Sequence, residues 1–564
     1  MRFFLPLWTL LAAVALLLDL GGYPLLDADE GRNGEVAREM AATNDYVMPR
    51  IDGMPYLDKP IVYFAAEAAA MEVLGPTETA ARLPAWLFTM ATAALVGWFA
   101  RRVWGGDAGW IAAIALMSMP LTLAFARTVI FDSALTFFIV LSIISFYLAV
   151  EGVILSREDG EGSVSSGAAP KRYGFFAVFA AQNDTRWRVL AWAAMALGVL
   201  TKGPVALAIP LFIAIPYAVW RKRFKALWSL TGLAVFALII APWVWAVSQV
   251  VPDFLKYVLV TETAERMATK ALKRTGPPWY FIPYLIGGAL PWALALFREK
   301  RRERDNITVF LMLWILIPFV FFSLSQSKRP QYILPLMPAV ALLVARMWRT
   351  ERREPGARTA GIALAILGGL LLVAPFFFHR TKMKPEVASV ADETAYALGA
   401  CLLVGGGVAV AFTKRRELTI AALSLPILAI PVATNALMDG LASRRSTASL
   451  IGKLKVGPRT EVVGVEAYTG SMQFYLRRPI IVATDDASEF TSNYILRHYD
   501  RFARDEGAPV RPTAWLRATL DKPDRLYIVR NDDRPNRALL ESRGMRLLGE
   551  GAHFVAYEPH RMAR

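Results

Sequence analysis

Residues 133–152 read SALTFFIVLSIISFYLAVEG, a stretch whose only charge, Glu151, stands next to its end. Twenty helical residues reach about 30 Å, the thickness of a bilayer's hydrocarbon core. No soluble core helix needs so long an apolar run. Comparable runs fall at 3–20, 82–100, 108–126, 187–201, 204–220, 226–247, 279–297, 307–323, 331–347, 358–377, 395–413 and 417–435. With 133–152 they make thirteen expected spans, and the chain reads as an α-helical polytopic membrane protein. The first, with Arg2 ahead of it, has the look of a signal peptide. The residues Asp19-Leu20-Gly21-Gly22-Tyr23-Pro24 offer no small-residue cleavage site, so it is kept as a span.

The wider composition agrees. Of 564 residues, 55% are hydrophobic, and 63 Lys and Arg stand against 47 Asp and Glu for a formal charge of +16. These cations sit in short clusters between apolar runs, which excludes a soluble nucleic-acid binder and makes the charge a matter of topology. With the N-terminus in the cytoplasm, the clusters at 101–102, 171–172, 221–225, 298–304, 349–358 and 414–416 all fall on the cytoplasmic side. The outward side then receives the loops 21–81 and 248–278 and everything beyond about residue 436. The Gly/Ser-rich stretch within 153–186 reads as a mobile cytoplasmic linker. Residues 441–564 change character, with β-rich runs at 461–465, 479–483 and 525–529 and helical stretches such as 489–504, and are expected to form a small α/β domain. The single cysteine, Cys401, excludes an intrachain disulfide. Lack of an internal repeat gives no support to an inverted-repeat transporter.

Candidate chemistry concentrates on the outward side. The first loop carries LDADEGRNGEVAREM at 26–40, with Asp27, Asp29 and Glu30 at the mouth of a span. It continues to GMPYLDKP at 53–60, where Pro60 is suited to open a helix over 61–75. Further outward turns are ARTVIFD at 126–132, TKGP at 201–204 and SQSKRPQY at 325–332. Ionisable groups at membrane depth tend to be paired or functional. The outward Lys59, Lys202, Lys328 and Arg329 run against the positive-inside trend, as an anionic ligand would require, while contact with lipid phosphates is the plainer reading. The four histidines lie outside these N-terminal loops, which removes a His-rich metal site there. No cofactor is expected, and a carboxylate-only Mg²⁺ or Mn²⁺ site at Asp27, Asp29 and Asp132 stays open. No phosphate-binding GxxxxGK[ST] loop or dinucleotide fingerprint occurs.

Taken in order, these motifs, together with Ala241-Pro242-Trp243, Pro278-Trp279-Tyr280, Leu290-Pro291-Trp292 and Tyr332-Ile333-Leu334-Pro335, resemble the polyprenyl-phosphate-sugar glycosyltransferases of the GT-C superfamily. The likeness is to the family of the lipid A aminoarabinose transferases and their protein-mannosyltransferase-like relatives, and it covers roughly residues 1–350. It implies a catalytic membrane domain over 1–440 and a periplasmic α/β domain over 441–564, in the bacterial inner membrane. It implies transfer from an undecaprenyl-phosphate-linked sugar to a lipid A-like or other envelope acceptor; a direct displacement would invert the anomeric centre, and nothing in the sequence requires more than a monomer. By the same resemblance Asp29 matches the catalytic carboxylate and Asp132 a second acidic position. Lys59, Arg32 and Lys202 match cations for the donor phosphate, and Tyr56 and Tyr332 match hydroxyls beside it. Glu30, Asp58, Arg127 and Lys328 are secondary candidates. Asn33 stands where the family often has Tyr, and Asp58 where many relatives have Glu. A polyprenyl-lipid transporter without bond cleavage is the alternative from another class.

Overall fold

Each of the thirteen apolar runs is helical, whole or broken. The structure, a computed structural model, describes residues 3–161, 173–258, 276–296, 305–349, 353–378, 385–520, 522 and 524–559. Among the described residues, eight helices are individually long and apolar enough to cross a membrane, or nine if one bent pair counts as a span. Of the remaining runs, two form the shorter helices Phe4–Leu17 and Val205–Trp220, one is broken across 278–296, and 187–201 lies within the long helix Tyr173–Lys202, so the count of thirteen is not confirmed.

The helices that position the site are α1 (Phe4–Leu17), α2 (Asp29–Thr43), α3 (Val62–Leu74), α4 (Glu78–Trp104), α5 (Ala108–Met117), α6 (Pro120–Ala126), α7 (Asp132–Glu161), α8 (Tyr173–Lys202), α9 (Val205–Trp220) and α10 (Leu230–Val250). Run 108–126 is the bent pair: α5 and α6 meet at 69°. Pro120 is responsible, because the residue before a proline is pushed out of the helical region, and Met119 is extended there. At the break Ser118 Oγ donates to the Ile114 carbonyl at 2.6 Å and accepts from the Trp292 indole at 3.0 Å. Helix α7 is the axis of the bundle, 89% of its apolar window being covered by neighbours, whereas only 11% is covered in the span containing α10. One therefore carries residues inward, and the other faces lipid.

The linker expectation for 153–186 needs correction at its ends. Helix α7 runs on to Glu161 and α8 begins at Tyr173, and 162–172 lies outside the described residues. Loop 248–278 is described only to residue 258 and from residue 276.

The first outward loop is built rather than open. It holds α2, a two-stranded hairpin β1 (Arg50–Ile51) and β2 (Met54–Pro55), and α3, which starts just after Pro60 as expected. The C-terminal region forms one six-stranded sheet from β3 (Glu461–Val465), β4 (Ile481–Ala483), β5 (Val510–Arg511), β6 (Arg525–Arg530), β7 (Met545–Glu550) and β8 (Phe554–Pro559), in the order β5-β4-β3-β6-β8-β7. Strands β5, β4, β3 and β6 are parallel, and β8 runs antiparallel to β6 and β7. The three anticipated β runs are the central strands β3, β4 and β6. Their residues are buried almost throughout, as parallel strands covered on both faces must be. The helical stretch 489–504 breaks into Asn493–Arg497 and Tyr499–Arg504 around His498.

This domain is welded to the first loop. Val36 and Met40 of α2 share one apolar core with Met472, Phe474, Val462 and Ile528. At Gly31 a side chain would run into Ser471, and at Gly470 into the backbone of Arg32.

Candidate active site

The residues of the first loop meet those of three later turns around one cavity of about 390 Å³. Asp29 opens α2, where a carboxylate is favoured by the positive end of the helix. Its Oδ1 accepts from Arg32 Nη2 at 2.7 Å, one helical turn on, and its Oδ2 from Arg329 Nη1 at 2.9 Å. Burial alone would raise the Asp29 carboxyl, but the Arg32 and Arg329 guanidiniums outweigh it and hold it below the ordinary carboxylate range. Arg32 also donates to Thr491 Oγ1 of the C-terminal domain at 3.0 Å and lies 5.9 Å from the Tyr56 ring centre.

A second ion pair lines the same cavity. Asp132 begins α7 and Lys202 ends α8, and they join at 2.5 Å with Asp132 almost wholly buried. Asp132 Oδ2 has no hydrogen-bond partner among the described residues, and Lys202 Nζ stands 5.2 Å from the Tyr332 ring centre. Lys59 borders the cavity with its ammonium donating to the Asp58 carbonyl at 2.6 Å. Among the described residues four cations, Arg32, Lys59, Lys202 and Arg329, line the cavity. Its other walls include the apolar Leu135, Ile139, Phe212, Phe321 and Phe322. Such a hollow takes an amphipathic anion with its charge at the surface and its hydrocarbon between helices.

All seven primary candidates, Asp29, Asp132, Lys59, Arg32, Lys202, Tyr56 and Tyr332, line this one cavity. The secondary candidates divide. Glu30 is not in the cavity wall; it accepts from Arg82 Nε at 3.0 Å and Nη2 at 2.9 Å, and from the Leu26 and Val129 backbone at 3.0 Å each. Arg127 donates to the Leu16, Leu18 and Asp19 carbonyls, tying down the end of α1. Lys328 donates to the Ser323 and Ser325 carbonyls at 2.6 and 2.8 Å, closing a helix C-terminus. Asp58 touches the cavity, but its carboxylate accepts from Tyr257 Oη at 2.7 Å and from the Asn493 and Tyr494 backbone at 3.0 and 3.2 Å. It anchors the C-terminal domain to the first loop.

Three contributors carried little or no signal. Arg329 was visible only as an outward cation, and nothing near residues 491–493 marked Thr491 and Asn493 as cavity walls. Asn33 lines the cavity with its Nδ2 on the Val129 carbonyl at 3.1 Å and its Oδ1 without a partner. Among the described residues no three His, Cys, Asp or Glu side chains converge to hold a metal ion. The three candidate carboxylates turn apart: Asp27 to Ser471, Asp29 to two arginines, Asp132 to Lys202.

Comparison with known proteins supplies the rest. The profile of the dolichyl-phosphate-mannose-protein mannosyltransferase family matches residues 58–156, the segment from Lys59's neighbour through α7. An undecaprenyl phosphate-alpha-4-amino-4-deoxy-L-arabinose arabinosyl transferase of Pseudomonas fluorescens is 29% identical over 419 residues, covering 72% of this chain and 68% of that one. The enzyme of the same name from Aeromonas hydrophila is 28% identical over 428 residues, 73% of each chain. The crystal structure of ArnT from Cupriavidus metallidurans bound to undecaprenyl phosphate superposes with a TM-score of 0.80 at 24% identity, over 98% of this chain and 97% of that one. The chain is a GT-C glycosyltransferase resembling the aminoarabinose transferases. The likeness extends over the whole fold, a multi-pass helical bundle with a small C-terminal sheet domain.

Proposed function

We propose that this GT-C enzyme moves a sugar from undecaprenyl phosphate to a phosphorylated lipid of the envelope, on the periplasmic face of the inner membrane and with inversion. Residues 1–440 are the catalytic membrane domain and 441–564 a periplasmic domain. The observation that carries this reading is the cavity itself, which four cations and several apolar side chains line together. Lys59, Arg32 and Lys202 hold the donor phosphate, Tyr56 and Tyr332 flank it, and the polyprenyl tail lies along Ile139, Phe212 and Phe322. The names of the relatives make undecaprenyl phosphate-linked 4-amino-4-deoxy-L-arabinose the first donor to supply.

In transfer, the bond from the anomeric carbon to the donor phosphate oxygen breaks, and its electron pair leaves on polyprenyl phosphate. Fixed cations in a partly dehydrated site stabilise that charge. The anomeric carbon becomes oxocarbenium-like, and an ionised carboxylate nearby favours it. Asp29 suits this electrostatic part. A carboxylate held below its ordinary range by Arg32 and Arg329 is poorly matched to removing a proton from a hydroxyl, since a general base works best with a pKa near the working pH. An acceptor phosphate is already ionised and needs only positioning, so the electrostatics favour a phosphate over a hydroxyl nucleophile.

The test is turnover by purified protein in vesicles, with the aminoarabinose donor and lipid A as acceptor. Sugar should pass to lipid A carrying its phosphates and not to the same lipid after phosphatase treatment. Equal transfer to both would remove the phosphate acceptor, and lipid movement between leaflets with the donor intact would remove the transferase.

A further inference from the structure

Beyond the reaction cavity, two smaller hollows of about 320 and 270 Å³ open along the seam between α2 and the C-terminal domain. They share Asp27, Ala28, Thr469, Arg530 and Phe554, and so are two limbs of one cleft. Thr491 lines both the second limb and the reaction cavity.

Sheet topology explains why a cleft lies here. From β3 the chain builds outward through β4 to β5, then returns to place β6 on the other side of β3. Beyond the carboxyl ends of β3 and β6 the strand order reverses. In open α/β sheets that crevice is where ligands bind. Residues 466–469 follow β3, Arg530 ends β6, and Ser488 and Glu489 follow β4; together they wall the second limb. In this protein the crevice is roofed by Asp27 and Ala28, two and one residues before Asp29.

The two limbs differ in chemistry. The first has Arg445, Arg530 and His553 around the hydroxyls of Ser446 and Thr447. Arg530 is more than half exposed and, among the described residues, ion-paired with the exposed Asp532, a weak tie that leaves it available. The second limb has Glu466 and Glu489, and Glu489 Oε2 is buried with no hydrogen-bond partner among the described residues. Burial raises both carboxyls. Arginine and histidine suit a phosphate, and carboxyls with hydroxyls suit the OH groups of a saccharide.

We propose that this switch-point cleft is the subsite for the acceptor's phosphorylated glycan headgroup, with a non-reacting phosphate in the Arg445–Arg530–His553 limb and sugar hydroxyls against Glu466 and Glu489. The reacting phosphate reaches past Thr491 to Asp29. The C-terminal domain thereby selects the acceptor. This inference rests on the transferase reading above.

The experiment compares wild type with Arg530→Ala and the near-isosteric Glu489→Gln, with Arg546→Ala on the far edge strand β7 as control. Lipid A bearing both phosphates and the aminoarabinose donor are the substrates, and melting temperature is recorded for each variant. The two cleft variants should raise the acceptor KM tenfold or more with donor KM within twofold, and Arg546→Ala should change neither. An acceptor KM within twofold of wild type in both cleft variants overturns the subsite. Should wild type transfer nothing, the transferase reading fails by itself. The cleft is then judged by equilibrium binding of the de-acylated glucosamine disaccharide bisphosphate, which must still weaken tenfold in Arg530→Ala; equal binding overturns the cleft alone.

Discussion

Asp29 and Glu30 are neighbours in sequence with opposite expected responses to the same chemical change. Glu30 is nearly inaccessible and uses both oxygens on four donors: two nitrogens of Arg82 and the Leu26 and Val129 amides. The Arg82 side chain has no exposed surface. Glu30→Gln leaves that guanidinium with no counter-charge, and breaking a buried pair by removing one partner costs about 3–5 kcal/mol. That is a large part of a typical domain's stability. Asp29 is 39% exposed on its side chain and faces two partly exposed arginines, so Asp29→Asn should cost under about 1 kcal/mol of stability. Its effect falls on turnover, where loss of one pre-organised electrostatic group typically costs about 10²–10³ in kcat. The assay is donor turnover in vesicles beside a melting curve in detergent. Asp29→Asn should melt like wild type and be nearly inactive, and Glu30→Gln should melt well below it. Full turnover by Asp29→Asn would remove it from catalysis, and a wild-type melt for Glu30→Gln would show that the buried pair does not hold the loop.

Other expectations concern charge and pH. Lys59→Ala should raise the donor KM tenfold or more and change the acceptor KM little; unchanged donor kinetics would take Lys59 out of phosphate binding. Activity that needs ionised Asp29 survives in acid because its carboxyl is depressed, and is lost as pH falls through that depressed value. Arg329→Gln removes one of the two groups that lower it, so the acid limb of the kcat/KM profile should move to higher pH. A limb that stays in place would mean Arg329 does not act through Asp29. Burial lifts Glu35 to about 7 and Asp27 to about 6, so both bind protons more tightly in the fold than in the unfolded chain. The stability they contribute is complete below about pH 4 and is lost as pH rises toward 7. Glu35→Gln should flatten the fall in melting temperature between pH 5 and pH 8, and an unchanged fall would point to other groups.

How far the site could be read from sequence follows from what each residue touches. The seven primary candidates stand at helix ends and short turns on one side of the membrane. Hydropathy locates those turns, and a common side is enough to bring them together. The outward-cation argument overcounted at Lys328, and Arg127, a secondary candidate, is likewise taken up by backbone carbonyls. Helix ends within a bundle expose carbonyls that also need donors, and a cation on backbone has the same sequence signature as one awaiting a ligand. The opposite failure occurred at Thr491 and Asn493, which join the cavity across more than 400 positions of chain. Nothing in local periodicity reports such a contact. The sheet domain was recognisable from β-rich runs, but its union with α2 depends on Gly31 and Gly470 lacking side chains, which has no pattern of its own.

That union has a practical side. Where Gly31 meets Ser471 and Gly470 meets Arg32, the joint has no room for a single methyl group. Alanine at either place would therefore act as a wedge one carbon wide, driven between two otherwise intact halves. Because Arg32 lies on the hinge line and grips Asp29, the wedge would be felt at the reacting centre before either half lost its own shape. Paired with its reversal to glycine, it offers a switch for asking what the outer half contributes to each turnover without cutting the chain.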